Sequence, residues 1–407
     1  MTNDSREEVQ AIVIEDWLGK SAILDLGPNI QGVQVWGPQT NANFQADLLT
    51  WYDQNKRQLP WRMDPTPYHV WVSEIMLQQT QVDTVIPYYQ HFLQRFPTIE
   101  SLAEAQEADL MKAWEGLGYY SRVRNMQTAA QTVVKEFAGQ FPQTYDEIIQ
   151  LKGIGPYTAA AIASIAFNEA KAAVDGNAMR VYSRLLGISA DIAKSKHHKL
   201  FFAIGDYLIA KDRPGDFNQA IMDLGSSFET AKAAMPLLSP VADYTLATLT
   251  GQTEAFPVKS KKKKPKVYYY DALIIKNQQD RVLIQQRDQD QLLAKLWTVP
   301  LFSHPEKKDQ EVWTNLVAET KAKYDFSPVV AKQAIGQVKH VFSHQVWYIT
   351  IYLAYVKAED ANFIRDLDQK STKSDWVSAY DLSRHAYPTV QMKIWQAYRD
   401  YLTDKNQ

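Results

Sequence analysis

The chain has 407 residues, 45% of them hydrophobic and 22% charged, with a formal net charge of −2. Such a length and composition are typical of a globular protein with room for two domains. The charge excludes a uniformly basic protein, so any nucleic-acid surface must be local. The absence of cysteine excludes disulfides, thiolate metal sites and cysteine nucleophiles.

The N-terminal residues are polar and lack the basic start and apolar run of a signal peptide. No run of about 18 apolar residues predicts a membrane helix. We therefore expect a cytoplasmic protein. Residues 1–42 show no clear repeat, and we interpret them as an N-terminal extension whose order the sequence does not predict.

Helical spacing of apolar residues begins at Phe44 and continues to about residue 250, with an alanine-rich stretch at 158–166. We predict an all-α domain over residues 43–258. Within it, Gly153 and Gly155 lie in a short turn between two predicted helices. Glycines allow close backbone approach, and a helix start can bind a phosphate. A hairpin that only packs is the alternative.

A basic run over 259–266, rich in lysine, predicts a solvated linker that could also contribute to phosphate binding. Beyond it the sequence changes character. Stretches rich in β-branched and aromatic residues, together with helical patterns near 309–323 and 388–402, predict an α+β domain over residues 267–407.

Several long motifs occur in a fixed order along the chain. They lie at 59–62 (Leu-Pro-Trp-Arg), 72–82, 114–122, 151–158, 174–177 and 217–220. In this order they resemble the helix–hairpin–helix DNA glycosylase superfamily, and most closely its MutY branch of adenine glycosylases. The resemblance runs from about residue 44 to the C-terminus. It implies a helical glycosylase domain followed by a Nudix-like domain.

Two carboxylates are the candidates for chemistry. Cleavage of a purine N-glycosidic bond needs an acid for the leaving base and an anion for the cationic sugar. Glu74 lies among apolar residues of a predicted helix, where desolvation raises a carboxyl pKa. Asp175 precedes a helix and is expected to stay ionised. Taken alone, Glu74 could be a surface residue, and Asp175 or Asn177 a helix cap.

The resemblance assigns roles to these and to neighbouring residues. It implies that Glu74 protonates adenine N7 and that Asp175 stabilises the sugar cation or its covalent adduct. Tyr157 and Asn177 correspond to residues that orient the acid and the water. Since bifunctional relatives of the endonuclease III branch carry lysine where Tyr157 stands, we predict a monofunctional enzyme.

Entry into the duplex requires that the adenine be flipped out of the stack. By resemblance, Gln79 replaces the lost base and Tyr119 intercalates beside the opposing lesion. For Tyr119, packing in the core beside Tyr120 is the alternative. The turn Gly116–Gly118 before it favours a loop that approaches DNA.

The loop 229–245 departs from the family pattern. Four cysteines spaced C-x6-C-x2-C-x5-C would hold an iron–sulfur cluster there, but this chain has Glu229, Pro236, Ser239 and Thr245. We therefore predict no cofactor and no metal. The sequence suggests that apolar packing replaces the cluster, through Met235, Leu237, Leu238, Val241 and Tyr244.

The C-terminal domain lacks the glutamate-rich helix of a catalytic Nudix enzyme, since 305–324 holds only scattered acids (Glu306, Asp309, Glu311 and Glu319). By resemblance, Phe342, Ser343 and His344 belong to a loop that recognises 8-oxoguanine, with Ser343 contacting the base. A metal pair formed by His340 and His344 is opposed by the flanking strand pattern.

The expected function is excision of adenine opposite 8-oxoguanine or guanine in double-stranded DNA, leaving an abasic site. We expect a monomer in a bacterial cytoplasm, associated with the nucleoid. The alternatives are a catalytically idle sensor of DNA damage, opposed by the two carboxylates, and a nucleotide hydrolase, opposed by the scattered acids.

Overall fold

A computed structural model describes residues 22–23, 33–261, 264–306, 312–357 and 373–405. Most of the predicted N-terminal extension lies outside the described residues, as do Lys262 and Lys263 of the predicted linker and two of the scattered acids, Asp309 and Glu311. The chain divides into two compact units, Met1–Glu104 with Asn125–Lys261, and Ala105–Arg124 with Lys262–Gln407. No helix in the described part of the chain is long and apolar enough to cross a membrane.

Among the described residues up to 261, the regular structure is helical apart from one short antiparallel pair of strands. Its elements are β1 (Ala22–Ile23), β2 (Gln34–Val35), α1 (Pro38–Asn55), α2 (Pro60–Met63), α3 (Pro67–Leu77), α4 (Val82–Arg95), α5 (Ile99–Ala103), α6 (Glu107–Ala113), α7 (Ser121–Glu136), α8 (Tyr145–Ile148), α9 (Pro156–Phe167), α10 (Gly176–Leu186), α11 (His198–Leu208), α12 (Pro214–Ser227) and α13 (Leu246–Leu249).

The predicted hairpin is present, formed by α8, a turn and α9. Gly153 has φ 81°, a left-handed conformation that favours glycine. The next helix begins at Pro156, with Gly155 as its N-cap. Residues 158–164 of α9 are all buried, and their small side chains let α9 pack closely against α3.

The core of the first unit extends beyond the predicted domain boundary. That boundary, after residue 42, falls inside α1, which begins at Pro38. Trp36 is buried, and its ring centroid lies 4.9 Å from that of Phe44 and 5.8 Å from that of Tyr244. Its carbonyl accepts a hydrogen bond from the Tyr207 hydroxyl at 2.6 Å. Residues 33–37 therefore belong to the folded first unit.

The side chains that are buried in the loop 229–245 differ from those that the sequence predicts. Val241 is buried and Tyr244 packs against the core, but Leu237 is 83% and Leu238 70% exposed, and Met235 is also exposed. The prediction that these last three residues fill the cluster's place is therefore wrong. Three polar side chains of this loop, Glu229, Ser239 and Thr245, are buried instead.

The second unit contains a mixed sheet. Its strands are β3 (Lys266–Lys276), β4 (Val282–Gln286), β5 (Trp297–Thr298), β6 (Leu301–His304), β7 (Val329–Val341), β8 (Gln345–Tyr355) and β9 (Ser374–Val377), and its long helices are α14 (Val312–Tyr324) and α15 (Thr389–Lys405). The order is β5-β4-β3-β8-β7, with β6 paired to β3 and β9 to β4. β3 and β8 run parallel, and the remaining pairs are antiparallel.

The two helices cover opposite faces of this sheet. Along β3, Ala272 and Ile274 share a core with α15, whereas Leu273 and Ile275 share a core with α14. This alternation follows from the two-residue period of a strand. The predicted order of a helical domain followed by an α+β domain is confirmed.

Residues 105–124 were expected in the helical domain but group with the second unit. Contacts within that unit explain the difference. The Lys112 ammonium donates to the carbonyls of Leu382 at 2.7 Å and His385 at 3.1 Å. The Glu115 carboxylate accepts from the backbone N–H of Tyr387 at 2.7 Å.

Candidate active site

A cavity of about 470 Å³ opens in the first unit. Five of the predicted site residues line it: Glu74, Gln79, Tyr157, Asp175 and Asn177. They come from the end of α3 and the residues after it, the start of α9 and the start of α10. The fold thus brings together residues that are up to about a hundred positions apart in the sequence.

Glu74 is the buried acid of this cavity, with 5% of its surface exposed. Its Oε2 accepts a hydrogen bond from the Tyr157 hydroxyl at 2.6 Å. The pKa of Glu74 is raised to about 7, because the effect of burial, together with a smaller one from the charge of Asp175, outweighs the lowering by the Tyr157 hydrogen bond and by Arg62. At neutral pH the group is therefore available in both its protonated and its ionised form.

Tyr157 is held as a donor to that acid. Burial raises its pKa well above the ordinary value, and the charges of Glu74 and Asp175 raise it further. The hydroxyl consequently keeps its proton at neutral pH. It also lies 3.7 Å from the Met222 sulfur.

Asp175 is the N-cap of α10. Its Oδ1 accepts hydrogen bonds from the backbone N–H groups of Asn177 at 2.9 Å and Ala178 at 2.7 Å. The pKa of Asp175 is raised above its ordinary value, because burial outweighs these two hydrogen bonds and the charge of Arg180, which lower it. Capping, one of the two interpretations that the sequence left open, is therefore present. It also orients the carboxylate in the cavity, so capping and a role in catalysis are compatible.

Gln79 follows α3 and has φ 60°, a left-handed conformation that is rare for residues other than glycine. Such a conformation is costly and is often found at functional sites. It marks the position at which the chain leaves the helix that carries Glu74.

An ionic cluster beside the cavity, centred on the buried Asp223, was not predicted from the sequence. The carboxylate of Asp223 accepts hydrogen bonds from Arg57 at 2.5 and 3.0 Å and from Arg62 at 2.7 and 3.1 Å. Both arginines line the cavity, together with Gln219 and Met222. The Leu-Pro-Trp-Arg motif could have drawn attention to Arg62, but no spacing links it to an acid 161 residues away.

A second cavity, of about 440 Å³, lies within the second unit. Tyr119, Phe342, Ser343 and His344 all line it. Tyr119 is 45% exposed and has φ 46°, whereas Tyr120 is buried. Tyr119 therefore does not pack in the core, which was the alternative interpretation.

The loop that carries Ser343 joins β7 to β8. The Ser343 hydroxyl lies 3.2 Å from Nδ1 of His344, and the Phe342 ring packs on Trp347 with centroids 4.9 Å apart. Phe342 thus anchors the loop while Ser343 and His344 are exposed. Within the described residues, no group of three or more His, Asp or Glu side chains could hold a metal ion.

Gly153 and Gly155 line neither of these two cavities. Both are exposed in the hairpin turn. A Cβ at Gly153 would lie 2.6 Å from Cβ of Asn125, and none of the atoms around Gly155 lies within 4 Å of such a position.

The side chains in the loop 229–245 do not fit an iron–sulfur cluster. Such clusters need thiolate ligands, and the four corresponding positions carry Glu229, Pro236, Ser239 and Thr245. Glu229 is moreover occupied by an ion pair with Arg184 at 2.8 Å.

Comparison with known proteins agrees with this architecture. Residues 72–203 match the HhH-GPD superfamily of base excision DNA repair proteins, and residues 271–397 match the NUDIX domain. The adenine DNA glycosylase of Mus musculus is 33% identical, over 88% of this chain and 78% of the relative. That of Buchnera aphidicola subsp. Acyrthosiphon pisum is 31% identical, over 88% of this chain and 97% of the relative. The chain belongs to the adenine DNA glycosylase family.

The resemblance inferred from the motifs is thereby confirmed. The protein is an enzyme of base excision DNA repair, a DNA N-glycosylase, with a helical glycosylase domain and a Nudix-like domain. It is a member that has no cysteine and therefore no cysteine ligands for a cluster.

Proposed function

We propose that the enzyme excises adenine mispaired with 8-oxoguanine or guanine in double-stranded DNA and leaves an abasic site. This proposal rests mainly on one observation: the buried Glu74, which accepts a hydrogen bond from Tyr157, lines the same cavity as Asp175. A protonatable acid and a capped carboxylate in one cavity meet the two chemical needs of the reaction.

In the proposed mechanism, Glu74 donates its proton to N7 of the flipped adenine as the bond between C1′ and N9 breaks. The electron pair of that bond leaves with the base, and Asp175 stabilises the positive charge on the sugar, as an ion or as a covalent adduct. Water then forms the new bond to C1′ and returns a proton to Glu74; where the adduct has formed, the bond between C1′ and the Asp175 oxygen breaks in this step and its electron pair returns to the carboxylate. Tyr157 orients Glu74, and Asn177 orients the water.

The enzyme is proposed to be monofunctional. Strand cleavage by a bifunctional glycosylase needs an amine that forms a Schiff base with the sugar. Among the described residues that line the cavity there is no lysine. Lys152 is exposed in the hairpin turn, before the helix that carries Tyr157.

Recognition of the opposite base is assigned to Tyr119, Ser343 and their neighbours Phe342 and His344. The support is that all four line one cavity. An exposed aromatic ring can intercalate, and a hydroxyl beside an imidazole can bond to the edge of an oxidised purine. Gln79 is assigned to the space left by the flipped base, and the backbone at Gly153 and Gly155 to a DNA phosphate.

We further infer that the enzyme works without an iron–sulfur cluster, as a monomer located with DNA in the bacterial cytoplasm. The support for the first point is the side-chain chemistry of the loop 229–245. Purified active protein should contain no iron and be colourless. A stoichiometric iron content that disappears together with activity on chelation would contradict this.

The catalytic assignment is tested with Glu74→Gln. We expect the single-turnover rate of adenine release from an A:8-oxoguanine duplex to fall by at least about a hundredfold, because the acid is lost. Duplex affinity should stay near that of the unaltered enzyme. Glu254→Gln, which changes an exposed glutamate of the same unit, is the matched control. Adenine release by Glu74→Gln at the unaltered rate would reject the proposal.

A further inference from the structure

The first residue of the loop 229–245 forms a buried ion pair. Glu229 Oε2 accepts a hydrogen bond from Arg184 Nη1 at 2.8 Å, and both side chains are almost completely buried. Arg184 also donates to the carbonyls of Phe256 at 3.1 Å and Thr230 at 3.2 Å. The helix α10, which carries Arg184, is thereby joined to the loop.

A second arginine on α10 continues this link towards the active site. Arg180 Nε donates to the carbonyl of Glu229 at 2.5 Å. Its Nη2 donates to Asn177 Oδ1 at 2.8 Å and to the carbonyl of Gly225 at 2.8 Å. One planar guanidinium therefore connects Glu229 to Asn177, which lies two residues after Asp175.

The free-energy cost of burying the ion pair of Glu229 and Arg184 indicates that the pair has a role beyond stability. A buried ion pair loses the hydration of two charges, and an apolar pair of similar size is often equally stable or more so. In the described part of the chain, Glu229 Oε1 is buried and has no hydrogen-bond partner, which adds to this cost. What the pair supplies is a fixed direction for Arg184 and for the backbone carbonyl of Glu229.

We propose that Glu229 is a positioning residue for catalysis, which holds Arg180, and through it Asn177 and the start of α10, in the geometry that the excision step requires. Glu229 occupies the first of the four positions where the sequence frame would place a cluster ligand. The ion pair thus anchors the loop to the catalytic helix by side-chain charge. This inference rests on the roles proposed above for Asp175 and Asn177.

The test compares Glu229→Gln with Asp243→Asn. Asp243 is an exposed acid in the same loop, so its substitution removes the same charge without a buried partner. Each variant is assayed with an A:8-oxoguanine duplex for single-turnover rate and for duplex affinity, and its folding is checked by thermal melting. Asp175→Asn is assayed in parallel.

For Glu229→Gln we expect the rate to fall by about tenfold to a hundredfold, since displacement of a catalytic group by about 1 Å has effects of this size. Its duplex affinity should change little, and Asp243→Asn should match the unaltered enzyme in both measurements. A Glu229→Gln enzyme that loses affinity but keeps the full rate would overturn the proposal, because Glu229 would then only hold the loop.

Glu229→Gln leaves Arg184 charged and buried, so the variant can fail to fold. Arg180→Lys then decides, since lysine keeps the charge but cannot donate in the three directions that Arg180 uses. A reduced rate with unchanged affinity supports the proposal, and a full rate overturns it. If Asp175→Asn is itself fully active, the role of Asp175 fails and this inference falls with it. If Asp175→Asn is inactive while Glu229→Gln and Arg180→Lys are fully active, only the inference on Glu229 falls.

Discussion

Among single residues, Glu74 decides the pH dependence of the reaction, because it must hold a proton in order to donate one. The rate of bond cleavage should be highest when Glu74 is protonated and Asp175 is ionised. Because burial raises the pKa of Glu74 to about 7, the single-turnover rate should fall as the pH rises above that value. Beyond it, each pH unit should lower the rate about tenfold.

Rates measured between about pH 6 and 9, with duplex affinity measured in the same buffers, check this expectation. A rate that stays constant across this interval, with affinity unchanged, would mean that Glu74 is not the acid.

The same pKa makes a prediction about stability. In the unfolded chain Glu74 ionises at its ordinary pKa of 4.5, but in the folded chain only near 7. Between these values the folded state holds the extra proton, so the contribution of Glu74 to the free energy of unfolding falls as the pH rises and levels off above 7. Glutamine has no such penalty. Glu74→Gln should therefore be more stable than the unaltered protein at high pH, by about 3 kcal/mol, since each unit between the two pKa values corresponds to about 1.4 kcal/mol.

Chemical denaturation at about pH 5 and pH 8 measures this difference. The gain should be much larger at the higher pH, and Glu254→Gln should show none at either. Equal stability of Glu74→Gln and the unaltered protein at the higher pH would contradict the assigned pKa.

The sequence predicts the local environment of the site residues better than it predicts their contacts. The apolar neighbours of Glu74 were enough to expect its burial. By contrast, the hydrogen bond from Arg180 to the carbonyl of Glu229 connects positions 49 apart, and no local pattern specifies such a pair. The same holds for Asp223, whose arginine partners lie more than 160 residues earlier.

Among the structural elements, the stability of the hairpin that joins α8 to α9 depends more on Gly153 than on Gly155. Gly153→Ala places a Cβ 2.6 Å from Cβ of Asn125 and keeps a left-handed φ of 81°. We expect the free energy of unfolding to fall by about 1–3 kcal/mol.

Gly155→Ala is the matched control, because its φ is −98° and the site is open. It should change stability by less than about 1 kcal/mol. Thermal or urea unfolding of both variants makes the comparison. Equal losses for the two would show that backbone conformation in this turn does not limit stability.

The loop 229–245 shows why apolar residues alone do not predict packing. Leu237 and Leu238 were expected inside, but they lie in a short 3-10 helix that begins at Pro236. Successive side chains of such a turn point in different directions. The interior is already filled by Glu229 with its arginine partners and by the buried Val241. The hairpin and the sheet strands, with their strong local patterns, were predicted more closely.

At the scale of the whole molecule, the two proposed tasks belong to different units. The residues assigned to adenine excision line a cavity of the first unit, and those assigned to the opposite base line a cavity of the second. The residues around Tyr119 belong to the second unit because of tertiary hydrogen bonds such as those of Lys112. No composition shift marks this assignment in the sequence.

One assay of adenine release tests most directly whether the enzyme is a monofunctional adenine glycosylase specific for mispairs with 8-oxoguanine or guanine. Duplexes with adenine opposite 8-oxoguanine, guanine or thymine are incubated with the enzyme, and each product is analysed with and without alkali. We predict release from the first two duplexes and not from the third, with strand breaks only after alkali. Strand breaks without alkali, or equal release from all three duplexes, would contradict a monofunctional adenine glycosylase specific for these mispairs.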